Sequence, residues 1–206
     1  MLAYPASNKP IDYTKKVFIQ PKLDGVRCLI QSENVEYHEP NTGRLIKAQA
    51  VKAYSRTGKE WKNIDHILKQ LTPFFEKYPN VVLDGELYNH DFKNDFESII
   101  SMVRKTKPTA EDKLKSAENV QFHCYDCINM GIIDASFENR MNFIAYHVPH
   151  NHYVKHVTTD TVYKHEEALD IHHNANLANG YEGSILRTND PYACKRSHNL
   201  RKFKDF

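Results

Sequence analysis

The sequence has no apolar run that approaches the roughly 18 residues needed to cross a bilayer. Its N-terminal stretch, MLAYPASNKPIDYTKK, also lacks the apolar core of a signal peptide. Both absences argue against a membrane-spanning or secreted class of protein. We therefore expect no membrane partner and a cytoplasmic or nuclear-type compartment.

Cysteine is scarce, with 4 residues in 206, which excludes a disulfide scaffold. Cys124 and Cys127 form a lone C-x-x-C in FHCYDCI, a segment typical of a strand. Strand positions three apart point to opposite faces, so this pair does not predict a zinc site. Four histidines lack a paired spacing on a helix and a carboxylate partner, and we interpret them as loop and surface residues: His147, His150, His152 and His156.

Net charge is also small, at +2, and is no argument by itself for a nucleic-acid partner. The distribution of charge says more. The last twelve residues, KRSHNLRKFKDF, include five Lys or Arg, and Arg104, Lys105 and Lys107 form a second basic segment. Such patches neutralise phosphates in some proteins and are solvated surface in others, so composition leaves both readings open.

The chain has no internal repeat and no low-complexity segment, and its length suits one domain. Apolar patterning predicts strands at 17–19, 26–31, 81–83, 120–128, 184–186 and 199–204. It predicts helices that begin at 63 or 65, at 91, at 136 and at 165, with a loop and a short helix in 105–119. Asp24-Gly25 is typical of a hairpin turn between the first two strands. This interleaving predicts a mixed α+β domain.

Charged residues flanked by glycine recur at the predicted strand ends. Carboxylates that converge repel one another unless a cation is present, and Mg²⁺ binds carboxylate oxygens while it bridges phosphates. Lysines and arginines beside it would hold an anionic substrate. The pattern therefore favours a lysine that attacks the α-phosphate of a nucleoside triphosphate. Its segments are Lys22–Arg27, Asp84–Glu86, Glu182–Gly183 and Lys202–Lys204.

Lys22-x-Asp24-Gly25-x-Arg27 resembles the nucleotidyl-lysine motif of DNA ligases, RNA ligases and mRNA capping enzymes. The later motifs of DNA ligases have similar segments here, in order: Ser55–Lys59, Leu83–Leu87, Phe122–Asp126, Glu182–Arg187 and Tyr192–Lys204. The chain thus resembles the adenylation domain of small viral or phage ATP-dependent DNA ligases. One departure is Arg201, which stands where the family's final motif, L-L-K-x-K, has its second leucine.

The resemblance implies an ATP-grasp-like α+β nucleotidyltransferase domain over residues 1–206. Mixed or antiparallel sheets would be flanked by helices, with the nucleotide site between the sheets. The family continues into an OB-fold domain, whereas this sequence stops at Phe206. We therefore expect an OB-fold partner in cis, slow or absent self-adenylation without it, and a monomer acting in the cytoplasm, the nucleus or an infected host cell.

The resemblance also implies the chemistry. Lys22 would be the catalytic residue that forms lysyl-AMP from ATP, AMP would move to the 5′-phosphate of a nick in duplex DNA, and the 3′-hydroxyl would seal it. Glu86 and Glu182 would bind Mg²⁺, or Mn²⁺ in its place. Residues that would contact the nucleotide are Gln20, Lys22, Arg27, Arg56, Glu86, Tyr125, Lys202 and Lys204.

Other residues would act around this centre. Asp24, Asp84 and Asp126 would support it. The residues expected to contact DNA phosphates are Arg56, Lys195, Arg196 and Arg201.

Two kinds of alternative remain. An RNA ligase or a capping guanylyltransferase would share Lys22, Glu86 and Glu182, although Ser55–Lys59 and 192–204 favour a DNA ligase. A non-catalytic clamp on nicked DNA would need no chemistry. Against the clamp, every nominal catalytic position holds the expected residue type.

Overall fold

A computed structural model describes residues 2–8 and 10–204 of the chain, without the side chain of Asn8. Phe206, where the sequence stops, lies outside the described residues. The strands are β1 (Leu2–Pro5), β2 (Val17–Lys22), β3 (Val26–His38), β4 (Leu45–Tyr54), β5 (Val81–Tyr88), β6 (Gln121–Asn129), β7 (Val154–His156), β8 (Asp160–Val162), β9 (Gly183–Thr188) and β10 (Arg196–Phe203).

The helices are α1 (Asp65–Lys77), α2 (Phe96–Val103), α3 (Ala110–Asn119), α4 (Phe137–His147) and α5 (Asn174–Ala178). Short 3₁₀ turns occupy Ala6–Asn8 and His90–Phe92, and a π-helix, Glu167–His173, leads into α5. Within the described ranges, none of these helices is long and apolar enough to cross a membrane.

Two five-stranded sheets confirm the predicted mixed α+β class. The lysine sheet, named for Lys22 and Lys202, has the strand order β1-β10-β9-β2-β8. The carboxylate sheet, named for Asp84 and Glu86, has the order β4-β3-β5-β6-β7. Each combines antiparallel pairs with one parallel pair, β1 with β10 and β6 with β7. The nominal active-site residues are therefore divided between two sheets.

The predicted hairpin at Asp24-Gly25 is wrong, because β2 and β3 belong to different sheets. The chain leaves the lysine sheet at Lys22 and enters the carboxylate sheet at Val26, which pairs with Leu87. A Cβ at Gly25 would lie 2.5 Å from the carbonyl oxygen of Leu87 and 2.6 Å from Cγ of Glu86. Glycine is needed here because the crossing chain passes directly over β5.

The main core lies between the carboxylate sheet and helices α1, α2 and α4. On α1, Ile67, Leu71, Phe74 and Phe75 are buried at helical spacing, as predicted. The predicted N-cap of α4 is confirmed, since Ser136 accepts a hydrogen bond from the Asn139 amide at 3.3 Å.

The helix predicted from residue 91 begins later, at Phe96. The Asp95 side chain accepts from the Ser98 amide at 3.3 Å and caps α2, which separates it from the preceding 3₁₀ turn. The short helix predicted within 105–119 is α3, and Thr109 and Asp112 form a capping box at its start.

A β-bulge at Tyr125 changes the orientation of β6. Asp126 pairs with Asp84 and Cys124 pairs with Gly85, so Tyr125 is the extra residue. Cys124 and Cys127 consequently point into the same core, and the prediction of opposite faces is wrong. The bulge also leaves Tyr125 directed toward the space between the sheets, where it borders a cavity.

Gly85 provides a test of the close packing between β5 and β6. A Cβ there would lie 2.5 Å from the His123 carbonyl oxygen and 2.5 Å from Cε2 of Phe122. We expect Gly85→Ala to lower the free energy of unfolding by about 1–3 kcal/mol, measured by urea denaturation, because the core has no room for the methyl group. Gly131→Ala is the control, since its Cβ would meet only Asn129 Oδ1 at 3.3 Å. Equal urea midpoints for the two variants would contradict this account.

Candidate active site

Three predicted residues meet where the strands of the lysine sheet end. Lys22 is the last residue of β2 and pairs with Gly183, so Glu182 lies beside it. The Glu182 amide donates to the Lys22 carbonyl at 3.1 Å. One Glu182 carboxylate oxygen contacts Lys22 Nζ and the other contacts Lys204 Nζ. The two lysines therefore share one half-buried carboxylate.

Arg27 and Asp84 form the corresponding group on the carboxylate sheet. The Arg27 guanidinium donates to both Asp84 oxygens, at 3.0 and 2.9 Å. The Tyr192 hydroxyl donates to Asp84 Oδ2 at 2.6 Å. Burial opposes the charge on Arg27, yet the adjacent carboxylate outweighs it and the pKa of Arg27 is raised. Burial and then the Asp84 charge raise the pKa of Tyr192.

Glu86 lies on β5 and lines the same cavity as Lys22 of β2. Its Oε2 accepts a hydrogen bond from the Tyr125 hydroxyl at 3.4 Å. Burial, and secondly the negative charge of Asp84, raise the pKa of Glu86 to about 8. A nearby cation would lower this pKa, because a positive charge stabilises the ionised form of the carboxyl group.

Two cavities meet at Lys22 and Glu86, which line both. The smaller, of about 140 Å³, lies between the sheets and is bordered also by Gln20, Tyr125, Ile185 and Leu200. The larger, of about 560 Å³, is an open cleft whose cationic side chains are Lys22, Arg27, Arg56, Arg104, Arg196 and Lys202. A partly apolar slot thus opens into a basic cleft, an arrangement that suits a ligand with a ring at one end and phosphates at the other.

A buried ion cluster supports the smaller cavity. Asp126 is fully buried and receives hydrogen bonds from Arg140 Nε at 2.7 Å and from Arg187 NH1 at 2.8 Å. The guanidinium of Arg187 also lies 5.3 Å from the centroid of the Tyr125 ring. Asp126 is therefore where its predicted supporting role would place it, one layer away from the cavity.

The remaining predicted residues occupy three settings. Arg56 and Arg196 are exposed on the wall of the larger cleft. Asp24 and Lys195 are exposed and border neither of these two cavities. Arg201 is only 5% exposed, and its Nε donates to the His198 carbonyl at 2.6 Å. That burial argues against the predicted contact of Arg201 with DNA phosphates.

Arg187 and Tyr192 have no role in the sequence prediction, although both lie in its motifs. For Arg187 a signal was available, because a charged residue follows the apolar Ile185 and Leu186 on a strand. Such a residue is buried only with a partner, but its partner Asp126 is 61 positions away in the sequence. For Tyr192 we find no comparable signal.

The carboxylates present fit a metal ion that arrives with its substrate. Among the residues that the structure describes, no group of three or more His, Cys, Asp or Glu side chains could hold a metal ion. Mg²⁺ is usually bound by one or two carboxylates together with substrate phosphates. Glu86 lines both cavities and Glu182 contacts Lys22, which also lines both, so these two carboxylates fit that kind of site.

A sequence model of the family described as the ATP dependent DNA ligase domain matches residues 1–204. The chain belongs to this family. A comparison with curated proteins finds no match to the ligase domain.

Solved structures share the fold of the ligase domain. A structure named Pmar-Lig_PreS3 has a TM-score of 0.71 and 20% identity, over 99% of this chain and 46% of its own. A Lig E DNA ligase has a TM-score of 0.69 and 22% identity, over 99% of this chain and 67% of its own. The Chlorella virus DNA ligase-adenylate has a TM-score of 0.55 and 21% identity, over 98% of this chain and 67% of its own. The ligase domain thus spans about half the length of the first of these chains.

The raised pKa of Glu86 gives a pH-dependent prediction. The folded chain holds the Glu86 proton up to about pH 8, whereas the unfolded chain releases it near its ordinary pKa of 4.5. Between these values the folded state binds more protons, so this group lowers stability as pH rises. We expect the free energy of unfolding of Glu86→Gln to increase relative to wild type from pH 5 to pH 8, in urea titrations.

The exposed Glu118→Gln is the matched control for this measurement. Its difference from wild type should stay constant over the same range. If the Glu86→Gln difference were equally constant, Glu86 would not hold its proton in the folded protein.

Proposed function

We propose that the ligase domain forms a covalent lysyl-AMP at Lys22 from ATP, passes the AMP to the 5′-phosphate of a nick in duplex DNA, and joins it to the 3′-hydroxyl. The observation that carries the proposal is that Lys22, which lines both cavities, contacts a Glu182 carboxylate that also contacts Lys204. Family membership supports the same chemistry.

In the first step, the Nζ lone pair of Lys22 forms a bond to the α-phosphorus. The bond from that phosphorus to the bridging oxygen breaks, and pyrophosphate leaves with the electron pair. Nζ keeps one proton in the phosphoramidate and releases the other two; the Glu182 carboxylate that contacts it would accept one, and the other would pass to solvent. Lys204 contacts the same carboxylate and brings a positive charge to the region where negative charge develops.

The linings of the two cavities support a position for each part of the nucleotide. Adenine would occupy the smaller cavity against the Tyr125 ring, with Gln20 at its edge. Glu86 would contact the ribose or a metal ion. Mg²⁺, with Mn²⁺ as the alternative, would supply positive charge to the phosphate oxygens when held by Glu86 and Glu182.

The basic cleft would hold the phosphates of nucleotide and DNA. Arg56 is exposed there and its planar guanidinium suits bidentate contact with a terminal phosphate such as the 5′-phosphate of a nick. Arg196 and Lys202 line the same cleft, and Lys195 extends the basic surface beyond it. Arg201, being buried, is not part of this proposed DNA surface.

Covalent labelling tests the first step. Incubation with ATP and Mg²⁺ should add the mass of one AMP to the intact chain, and peptide mapping should place it on Lys22. Lys22→Ala should show no adduct, because the nucleophile is gone, and Lys47→Ala, which changes an exposed lysine on β4, should label as wild type does. An adduct from GTP and not ATP would favour a guanylyltransferase, and no adduct from either would contradict lysyl-AMP formation by this chain.

Salt dependence tests the DNA surface. Each phosphate that a cation neutralises contributes about −0.9 to the slope of log binding constant against log salt concentration. We expect Arg56→Ala to reduce the magnitude of that slope by about 1 for nicked duplex DNA, measured by fluorescence anisotropy. Arg44→Ala, an exposed arginine beyond the β3 strand, should leave the slope unchanged. An unchanged slope for Arg56→Ala would exclude a phosphate contact by Arg56.

A further inference from the structure

The edge of the smaller cavity is formed by an amide whose orientation is set by its neighbours. Gln20 lies on β2, two residues before Lys22, and is 2% exposed. Its Nε2 donates to the Tyr125 carbonyl at 3.2 Å and to Thr159 Oγ1 at 2.8 Å. Its Oε1 accepts from Arg187 Nε at 2.6 Å. Both hydrogens of the amide are therefore committed to protein acceptors.

Two neighbours allow this orientation and exclude the flipped one. The Arg187 guanidinium can only donate, so the atom facing it must be the amide oxygen. The Thr159 hydroxyl donates to the Val157 carbonyl at 3.1 Å and is left to accept from Gln20. A flipped Gln20 would place its nitrogen against the Arg187 donor and leave that nitrogen without an acceptor.

Arg187 is itself held in place. It is 4% exposed, its NH1 donates to the fully buried Asp126, and its guanidinium lies 5.3 Å from the Tyr125 ring centroid. Leaving that position would leave the Asp126 carboxylate with one partner fewer in a buried site. Arg187 thus stays in place and can only donate, so the oxygen of the Gln20 amide must face it.

An amide oxygen has two lone pairs, and Arg187 uses one of them. What Gln20 can still offer to a base in the cavity is the other lone pair, an acceptor. Adenine carries a 6-amino donor, whereas guanine carries a 6-oxo acceptor at the same place. The fixed amide would pair with the first and repel the second.

We propose that Arg187 is a positioning residue that makes the base cavity select adenine over guanine, by holding the Gln20 amide with only an acceptor left for the base. The proposal rests on the proposed function in one respect, that the smaller cavity receives the base. It assigns the choice of base to a side chain of β9 that acts through Gln20 on β2.

Equilibrium binding of AMP and GMP, measured by calorimetry, tests this. Wild type should prefer AMP. Arg187→Met should reduce the ratio of the GMP dissociation constant to the AMP dissociation constant by about tenfold, because the Gln20 amide becomes free to rotate. Arg187→Lys should keep most of the preference, since an ammonium group also only donates. Equal binding of both nucleotides by wild type, or an unchanged ratio in Arg187→Met, would overturn the proposal.

Gln20→Met provides a second test that leaves the ion pair between Arg187 and Asp126 intact. It replaces the amide by an apolar chain of similar length, so the AMP preference should fall here too. This test remains valid if Arg187→Met does not fold. A retained preference in Gln20→Met would overturn the proposal. AMP and GMP carry no pyrophosphate leaving group, so the ratio is independent of Lys22 adenylation, and either experiment can fail without the other.

Discussion

The site depends on one buried carboxylate, Asp126, which joins the two sheets. It lies on β6 of the carboxylate sheet, and its two partners come from α4 and from β9 of the lysine sheet. A carboxylate that is fully buried is costly unless its oxygens are paired with good geometry. Arg140 and Arg187 provide that pairing at 2.7 and 2.8 Å. The sheets cannot separate at this point without breaking the pair between Arg187 and Asp126, so this pair holds the two walls of the cavity together.

From that cluster outward the site changes from rigid to open. Arg187 holds the Gln20 amide and lies over the Tyr125 ring, so the inner cavity has little freedom. Lys22 and Glu182, at the outer end, keep about a fifth of their side-chain surface exposed. Ion pairs in such a setting are weakened by solvent and exchange partners readily. The residues around the inner cavity are therefore held more firmly than the ion pairs around Lys22.

Sequence alone predicted the mixed α+β class and the elements with local signals, and missed features that depend on strand pairing. Helical periodicity located α1 and the Ser136 cap located α4, because both signals are local. The ordered motifs predicted one site for Lys22, Glu86 and Glu182 without any knowledge of the sheets. In the structure Lys22 contacts Glu182, and Lys22 and Glu86 line the same two cavities. The turn at Asp24-Gly25 was misread, since a tight turn looks the same whether its strands pair or separate. The bulge at Tyr125 was missed because it depends on the register with β5, and the short strands β7 and β8, of three residues each, carry too little pattern.

In the basic C-terminal stretch, neighbouring charged residues lie on different sides of a strand, so each needs its own interpretation. On β10, Arg201 is buried and bonded to a backbone carbonyl, while its neighbour Lys202 lines the cleft. Lys204, two positions further, contacts Glu182 beside Lys22. Alternation along a strand thus separates a structural arginine from two lysines that face the site. Leucine at position 201, the residue of the family's motif, would occupy the same buried side, so the departure leaves the directions of Lys202 and Lys204 unchanged.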